Sequence, residues 1–118
     1  MFGRRRLKKP RPPDDLRALR EFASFYSKLD KDSYLYKIVE RGIGILKSDM
    51  CTGKKIGRKK FPKVYLKKYG ISNLWKMDLD SAYRLMYTIV AENSRKILVV
   101  LEVLSHKGYV RRFGYGSD

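Results

Sequence analysis

"NLWKMDLDSAYRLMYTIV", residues 73–90, is the stretch whose reading decides the fold. Apolar residues alternate with others over both halves, the two-residue period of a half-buried strand. Asp80-Ser81-Ala82 in the middle supplies a three-residue turn and sets Asp78 opposite Arg84 in an antiparallel hairpin. On that register Trp75, Met77, Leu79, Tyr83, Leu85, Tyr87 and Ile89 share one face, which must be core. Leu74, Lys76, Asp78, Arg84, Met86 and Thr88 occupy the other. A slip of one residue would mix the two sets, so the pattern itself selects the register. Two cations and a carboxylate on the second face make it the candidate functional surface.

Downstream, "KILVVLEVL" at 96–104 is apolar on both faces until Glu102, as a central strand should be. Ser105 ends it, and "HKGYVRRFGY" reads as a short C-terminal helical tail. Upstream, Asp14 or Asp15 is expected to cap a helix straight after Pro12-Pro13. Leu16, Leu19, Phe22, Ala23, Tyr26 and Leu29 then form one apolar stripe. "DKDS" at 30–33 breaks and recaps the chain. A second helix follows with Leu35, Ile38, Val39 and Leu46 inward, and Gly42 and Gly44 weaken it or permit close packing. No first strand is legible before these helices. The order is helix–helix–basic loop–three antiparallel strands–tail, an α+β domain.

The 118 residues suit one small domain with a modest core. Lys plus Arg number 28 against 12 Asp plus Glu, a formal net charge of +16. Self-repulsion of that size calls for a polyanion, and nucleic acid is the expected one, since Lys and Arg gain affinity by displacing counterions from phosphates. One cysteine, Cys51, excludes an intramolecular disulfide, and with a single histidine, His106, no structural metal or cofactor is expected. The longest apolar run, residues 97–101, is far too short for a membrane span, and residues 1–13 lack the apolar stretch of a secretory signal, so a cytoplasmic protein is expected.

The cations fall in two runs. Residues 1–13 carry Arg4, Arg5, Arg6, Lys8, Lys9 and Arg11 with no acid and three prolines. This segment is expected to be a basic arm, flexible or ordered along RNA, ahead of a single domain spanning 14–118. Residues 51–72 bring Lys54, Lys55, Arg58, Lys59, Lys60, Lys63, Lys67 and Lys68 without an acid, interleaved with Phe61, Tyr65 and Tyr69. Cations with interposed rings suit RNA, because rings stack on bases while cations hold the backbone; a solvated lysine-rich loop is the alternative. Arg111 and Arg112 of the tail join the RNA-binding set.

"LWKMDLDSAYRLMYTIV", the apolar last strand and "SHKGYVRRFGY" resemble the second half of RelE/ParE-superfamily toxins, and "KKIGRKKFPKVYLKKYGISNLWKMDL" is similar to segments of the archaeal branch. The resemblance covers residues 32–115. It implies a helical hairpin on a small twisted antiparallel sheet, with a concave basic site. For RelE-type members it implies metal-independent mRNA cleavage on the ribosome and restraint by a cognate antitoxin; ParE-type members inhibit DNA gyrase. The chain departs from that pattern at Asp78, where RelE has a basic residue, and lacks the loop glutamate of the YoeB branch.

Metal-free RNA cleavage needs a base for the 2′-hydroxyl, an acid for the 5′-oxygen and cations for the charged transition state. By the resemblance Arg84 is the principal cation, Lys76 a second, His106 the general acid, and Tyr109 a residue that stacks on a base or orients phosphate. The alternatives are an Arg84–Asp78 cross-strand ion pair, a solvated Lys76, a surface histidine, and Tyr109 packed against Val110 and Phe113. Glu102 is a candidate base or a partner for a neighbouring cation. Three functions follow: a ribosome-dependent endonuclease; a non-catalytic ribosome-binding factor (a hibernation factor or ribosomal protein) on the same fold; and, ranked third because the lysine-aromatic loop and His106 suit RNA better, gyrase inhibition.

Overall fold

A computed structural model describes residues 9–114. The elements are β1 (Asp15–Ala18), α1 (Arg20–Ser27), α2 (Tyr34–Ser48), β2 (Lys54–Ile56), a 3-10 turn (Arg58–Lys60), α3 (Lys63–Lys67), β3 (Leu74–Asp78), β4 (Tyr83–Glu92), β5 (Arg95–Ser105) and α4 (His106–Phe113). The strands make one sheet in the order β1-β5-β4-β3-β2. The hairpin has the register its pattern dictates, with Trp75 opposite Tyr87, Met77 opposite Leu85 and Asp78 opposite Arg84. Ser33 caps α2 by accepting from the Tyr36 amide at 3.1 Å. Gly42 lets α2 settle onto the hairpin: an added Cβ would collide with Leu79 Cδ2 and lie 2.9 Å from Met77 Cε.

The start of the chain corrects the sequence reading. Residues 15–18 are a strand, parallel to β5 in an otherwise antiparallel sheet, and the first helix begins only at Arg20. Asp14 does not cap a helix. Its amide donates to the Lys96 carbonyl at 2.8 Å and its Oδ2 accepts from the Lys96 amide at 2.7 Å. The reason lies 82 residues away along the chain. Ile97, Leu98 and Val100 of β5 are buried, and a strand apolar on both faces cannot be left with an open edge. Pairing with that edge overrides the helical spacing of Leu16 and Leu19.

The sheet carries a core on each face. Phe22 of α1 and Ile38, Val39 and Leu46 of α2 cover Met77, Leu79, Leu85, Tyr87, Leu98 and Val100. On the opposite face Phe61, Tyr65 and Tyr109 cover Leu74, Met86 and Leu101. The hairpin's second face is therefore not simply open. Leu74 and Met86 are fully buried and Thr88 nearly so, and only the end bearing Lys76, Asp78 and Arg84 is left to solvent. A bulge sets this division. Met86 pairs with Glu102 but Tyr87 pairs with Val100, so Leu101 is the extra residue and the alternation of β5 shifts phase there. Glu102 is thereby turned towards α3 and α4 rather than into the first core.

The turn of the hairpin is pinned by Asp80. Its Oδ1 accepts from the amides of Ala82 and Tyr83, each at 2.8 Å, and its Oδ2 from the Tyr34 hydroxyl at 2.5 Å. The Tyr34 hydroxyl, then these amides, hold the carboxyl below its ordinary value of 3.8. A depressed folded pKa contributes stability that is complete above the unfolded value and lost as pH falls through the folded one. Asp80→Asn should accordingly flatten the fall in melting temperature below about pH 4. Parallel acid limbs for variant and wild type would refute this. No helix among the described residues is long and apolar enough to cross a membrane.

Candidate nucleic-acid interface

Lys76 on β3 and Arg84 on β4 lie on the face covered by α3 and α4, with side chains 21% and 14% exposed. Tyr109 of α4 lies against both cations. Its ring centroid is 5.4 Å from Lys76 Nζ and 5.1 Å from the Arg84 guanidinium carbon, and the ring, itself buried, stacks on Phe113 at 4.4 Å. These are cation–π distances, and the aromatic support limits where the two long side chains can go. Asp78 Oδ1 lies 3.6 Å from Lys76 Nζ and 3.7 Å from Arg84 Nε, so the cross-strand ion pair is present. Arg84 also donates from NH1 to the Ser81 carbonyl at 3.4 Å, while its buried Nε finds no hydrogen-bond partner among the described residues.

His106 opens α4, which Ser105 caps by accepting from the Gly108 amide at 3.0 Å. The His106 amide donates to the Ala82 carbonyl at 2.6 Å. The histidine is exposed at the hairpin-turn end of the sheet, the end that carries Arg84. Lys76, Arg84 and Tyr109 thus meet, and His106 joins their end of the sheet.

Lys9, Lys54, Lys55, Arg58, Lys59, Lys60, Lys63, Lys67, Lys68 and Arg111 are exposed, and Arg112 is half-buried. Arg4, Arg5, Arg6 and Lys8 lie outside the described residues. Arg11 is tied to the end of α2: its amide donates to Asp49 Oδ1 at 3.3 Å and its carbonyl accepts from the Met50 amide at 2.8 Å. A groove of about 430 Å³ runs between α3 and α4, with Lys63, Arg111 and Arg112 on its walls. Lys68 is engaged instead with Glu21 of α1 at 3.2 Å, which together with the nearby Tyr69 favours its charged form.

The rings of the basic loop correct a second expectation. Tyr65 is fully buried and Phe61 buried, so neither is presented to a base. Their spacing of four is the signal: residues 61, 65 and 69 fall on one side of α3 and its flanks, facing the sheet. The Tyr65 hydroxyl donates to Glu102, as does Tyr69 at 3.5 Å, and Arg112 NH2 donates to the same carboxylate at 2.6 Å. Burial first, and then the Glu102 carboxylate, push both phenols above their usual range. Burial works against the Arg112 charge, but Glu102 more than offsets it. Glu102 is thus the partner of a neighbouring cation and joins β5, α3 and α4 through a half-buried polar network.

A cleft of about 440 Å³ beside Lys76 and Asp78 adds Thr52, Gly53 and Lys54, of which Thr52 and Gly53 were not anticipated. Gly53 is needed there because an added Cβ would lie 2.7 Å from the Lys76 carbonyl oxygen and 2.6 Å from the Tyr87 hydroxyl. The glycine ahead of Lys54-Lys55 was the available sign. Among the described residues, no group of three or more His, Cys, Asp or Glu could hold a metal ion.

No family profile matches the sequence, and no curated protein matches it. Among solved structures the chain is similar to the YoeB/ParE toxin from Agrobacterium tumefaciens, at 14% identity and a TM-score of 0.52. The match covers 78% of this chain and 98% of that one. This likeness is one of fold: the arrangement of helices about a small mixed sheet is similar to that of a YoeB/ParE toxin.

Proposed function

We propose that this chain is a cytoplasmic RNA-binding protein of the RelE/ParE type that acts at the ribosome, as a metal-independent mRNA endonuclease that inhibits translation and is restrained by a cognate antitoxin. The observation that carries the reading is the pair Lys76–Arg84 supported by the Tyr109 ring, with Lys76 bordering a cleft that Lys54 also lines. A planar guanidinium suits the scissile phosphate, and two cations held in place stabilise a phosphorane without reorganising. His106, at the same end of the sheet, protonates the departing 5′-oxygen. Tyr109 acts by positioning the cations.

A second reading, a non-catalytic ribosome-binding factor on the same fold, is favoured by one observation. The carboxylate that could have served as general base, Glu102, is held by Arg112, Tyr65 and Tyr69. Incubation with programmed ribosomes separates the two, by mapping mRNA 5′ ends while sedimenting the mixture. New ends within the A-site codon support the nuclease; stable co-sedimentation with intact mRNA refutes it in favour of the factor.

Both readings require phosphate contacts. If residues 1–13 and the cations of 54–68 together engage about eight phosphates of single-stranded RNA, log affinity should fall with log salt at a slope near −6. Deleting residues 1–13 should flatten that slope. An unchanged slope would show that the arm takes no part.

A further inference from the structure

The hairpin's polar end holds its own anion. Asp78 is 58% exposed, whereas the two cations it faces are largely buried and steadied by Tyr109. Its distances of 3.6 and 3.7 Å are those of ion pairs, longer than hydrogen bonds. Arg84 Nε, buried and without a hydrogen-bond partner among the described residues, is therefore attracted by the carboxylate without being satisfied by it. On the other side of Lys76 the sheet brings up a second cation. Lys54 of β2 stands directly opposite Lys76, a like-charge pairing that weakens a ladder unless an anion lies between. The cleft that opens there is bordered by Lys54, Lys76 and Asp78.

Three cations, one loosely held carboxylate and open space beside them describe a phosphate seat with a removable occupant. We propose that Asp78 is a built-in competitor for RNA phosphate at the Lys76–Arg84 pair. In the free protein it compensates the two charges. When a backbone phosphate arrives, the exposed carboxylate rotates out, Arg84 Nε gains its missing acceptor, and Lys76 and Lys54 share the incoming charge. The proposal rests on the reading of this face as RNA-binding and adds a selectivity to it. Displacing Asp78 sets a threshold that a free phosphate ion, with no further phosphates anchored on the surrounding lysines, fails to meet. A strand of RNA already held by the surrounding lysines meets it.

The test compares wild type, Asp78→Asn and Glu92→Gln. The last makes the same change in net charge at the far end of β4, on another exposed carboxylate. Binding of a short single-stranded RNA is read by fluorescence anisotropy, and binding of inorganic phosphate by the Arg84 Nε–H resonance. Since exposed ion pairs are weak, Asp78→Asn should tighten RNA binding by about 3–10-fold beyond Glu92→Gln. Inorganic phosphate should move the Arg84 resonance in Asp78→Asn at concentrations that leave it unmoved in wild type. Equal RNA affinity for the two variants would overturn the proposal while leaving RNA binding intact. So would weaker binding by Asp78→Asn, which would make Asp78 a positioning residue. Phosphate titrating Arg84 in Asp78→Asn alone, with no RNA bound by any of the three, would uphold the competition and refute the RNA reading.

Discussion

Arg84→Ala and His106→Ala are each expected to remove mRNA cleavage on programmed ribosomes while leaving most of the ribosome binding. Positioned acid catalysis is commonly worth about 10²–10⁴-fold, and loss of one preorganised charge-stabilising donor about 10²–10³-fold, so either loss is unmistakable in a 5′-end assay. Binding persists because Lys54, Lys55, Arg58, Lys59, Lys60, Lys63 and Arg111 remain exposed. Arg84→Lys adds discrimination: it keeps the charge near Tyr109 but not the planar fork, and should bind as wild type does without restoring cleavage. Cleavage by both alanine variants at the wild-type rate would remove these residues from the chemistry. If the chain is instead a ribosome-bound factor, wild type cuts nothing, His106→Ala changes little, and Arg84→Ala weakens binding as one phosphate contact among many.

Tyr65→Ala should be the most damaging single change to the fold on the α3–α4 side, about 3–5 kcal/mol by the usual cost of truncating a buried aromatic. The ring is fully buried among Leu74, Met86 and Leu101, and its hydroxyl donates to Glu102. Tyr65→Phe isolates the polar part. It keeps the ring and removes one donor from a mostly buried carboxylate, at a cost of about 1–3 kcal/mol. Both are read from urea midpoints at unchanged slope. A Tyr65→Phe variant as stable as wild type would mean that Arg112 and Tyr69 suffice to satisfy Glu102. That carboxylate would then be less firmly committed to structure, and more available as a base.

The network around Tyr65 and the strand at Asp15–Ala18 show where local reading stops. The hairpin was legible in detail, down to Asp78 opposite Arg84, because a strand's two faces differ by a single-residue alternation that admits one register. The second helix, the recapping at 30–33, the last strand and the C-terminal helix were legible for the same kind of reason: each is specified by neighbours within a few residues. Lys76, Arg84, His106 and Tyr109 were named from a motif, and the fold brings the first, second and fourth into contact. The RelE/ParE-like architecture expected from the resemblance agrees with the solved toxin structure that the chain matches.

Legible without the fold, then, was every element whose periodicity answers to its own neighbours, together with a net charge of +16. Tertiary structure decided the rest. Residues 15–18 read as helix until β5, 82 positions later, offers them an edge that would otherwise stay unpaired. Phe61 and Tyr65 read as rings for RNA until the second face of the sheet proves to need covering. Glu102 reads as a base or as a cation's partner, and the bulge at Leu101, which turns it towards Arg112, decides for the partner. In each case the local preference amounts to a fraction of a kcal/mol per residue, whereas an unpaired strand edge, an uncovered apolar face or an unpartnered buried charge costs several. Costs of that size arise only between segments far apart in the chain, so no local pattern records them.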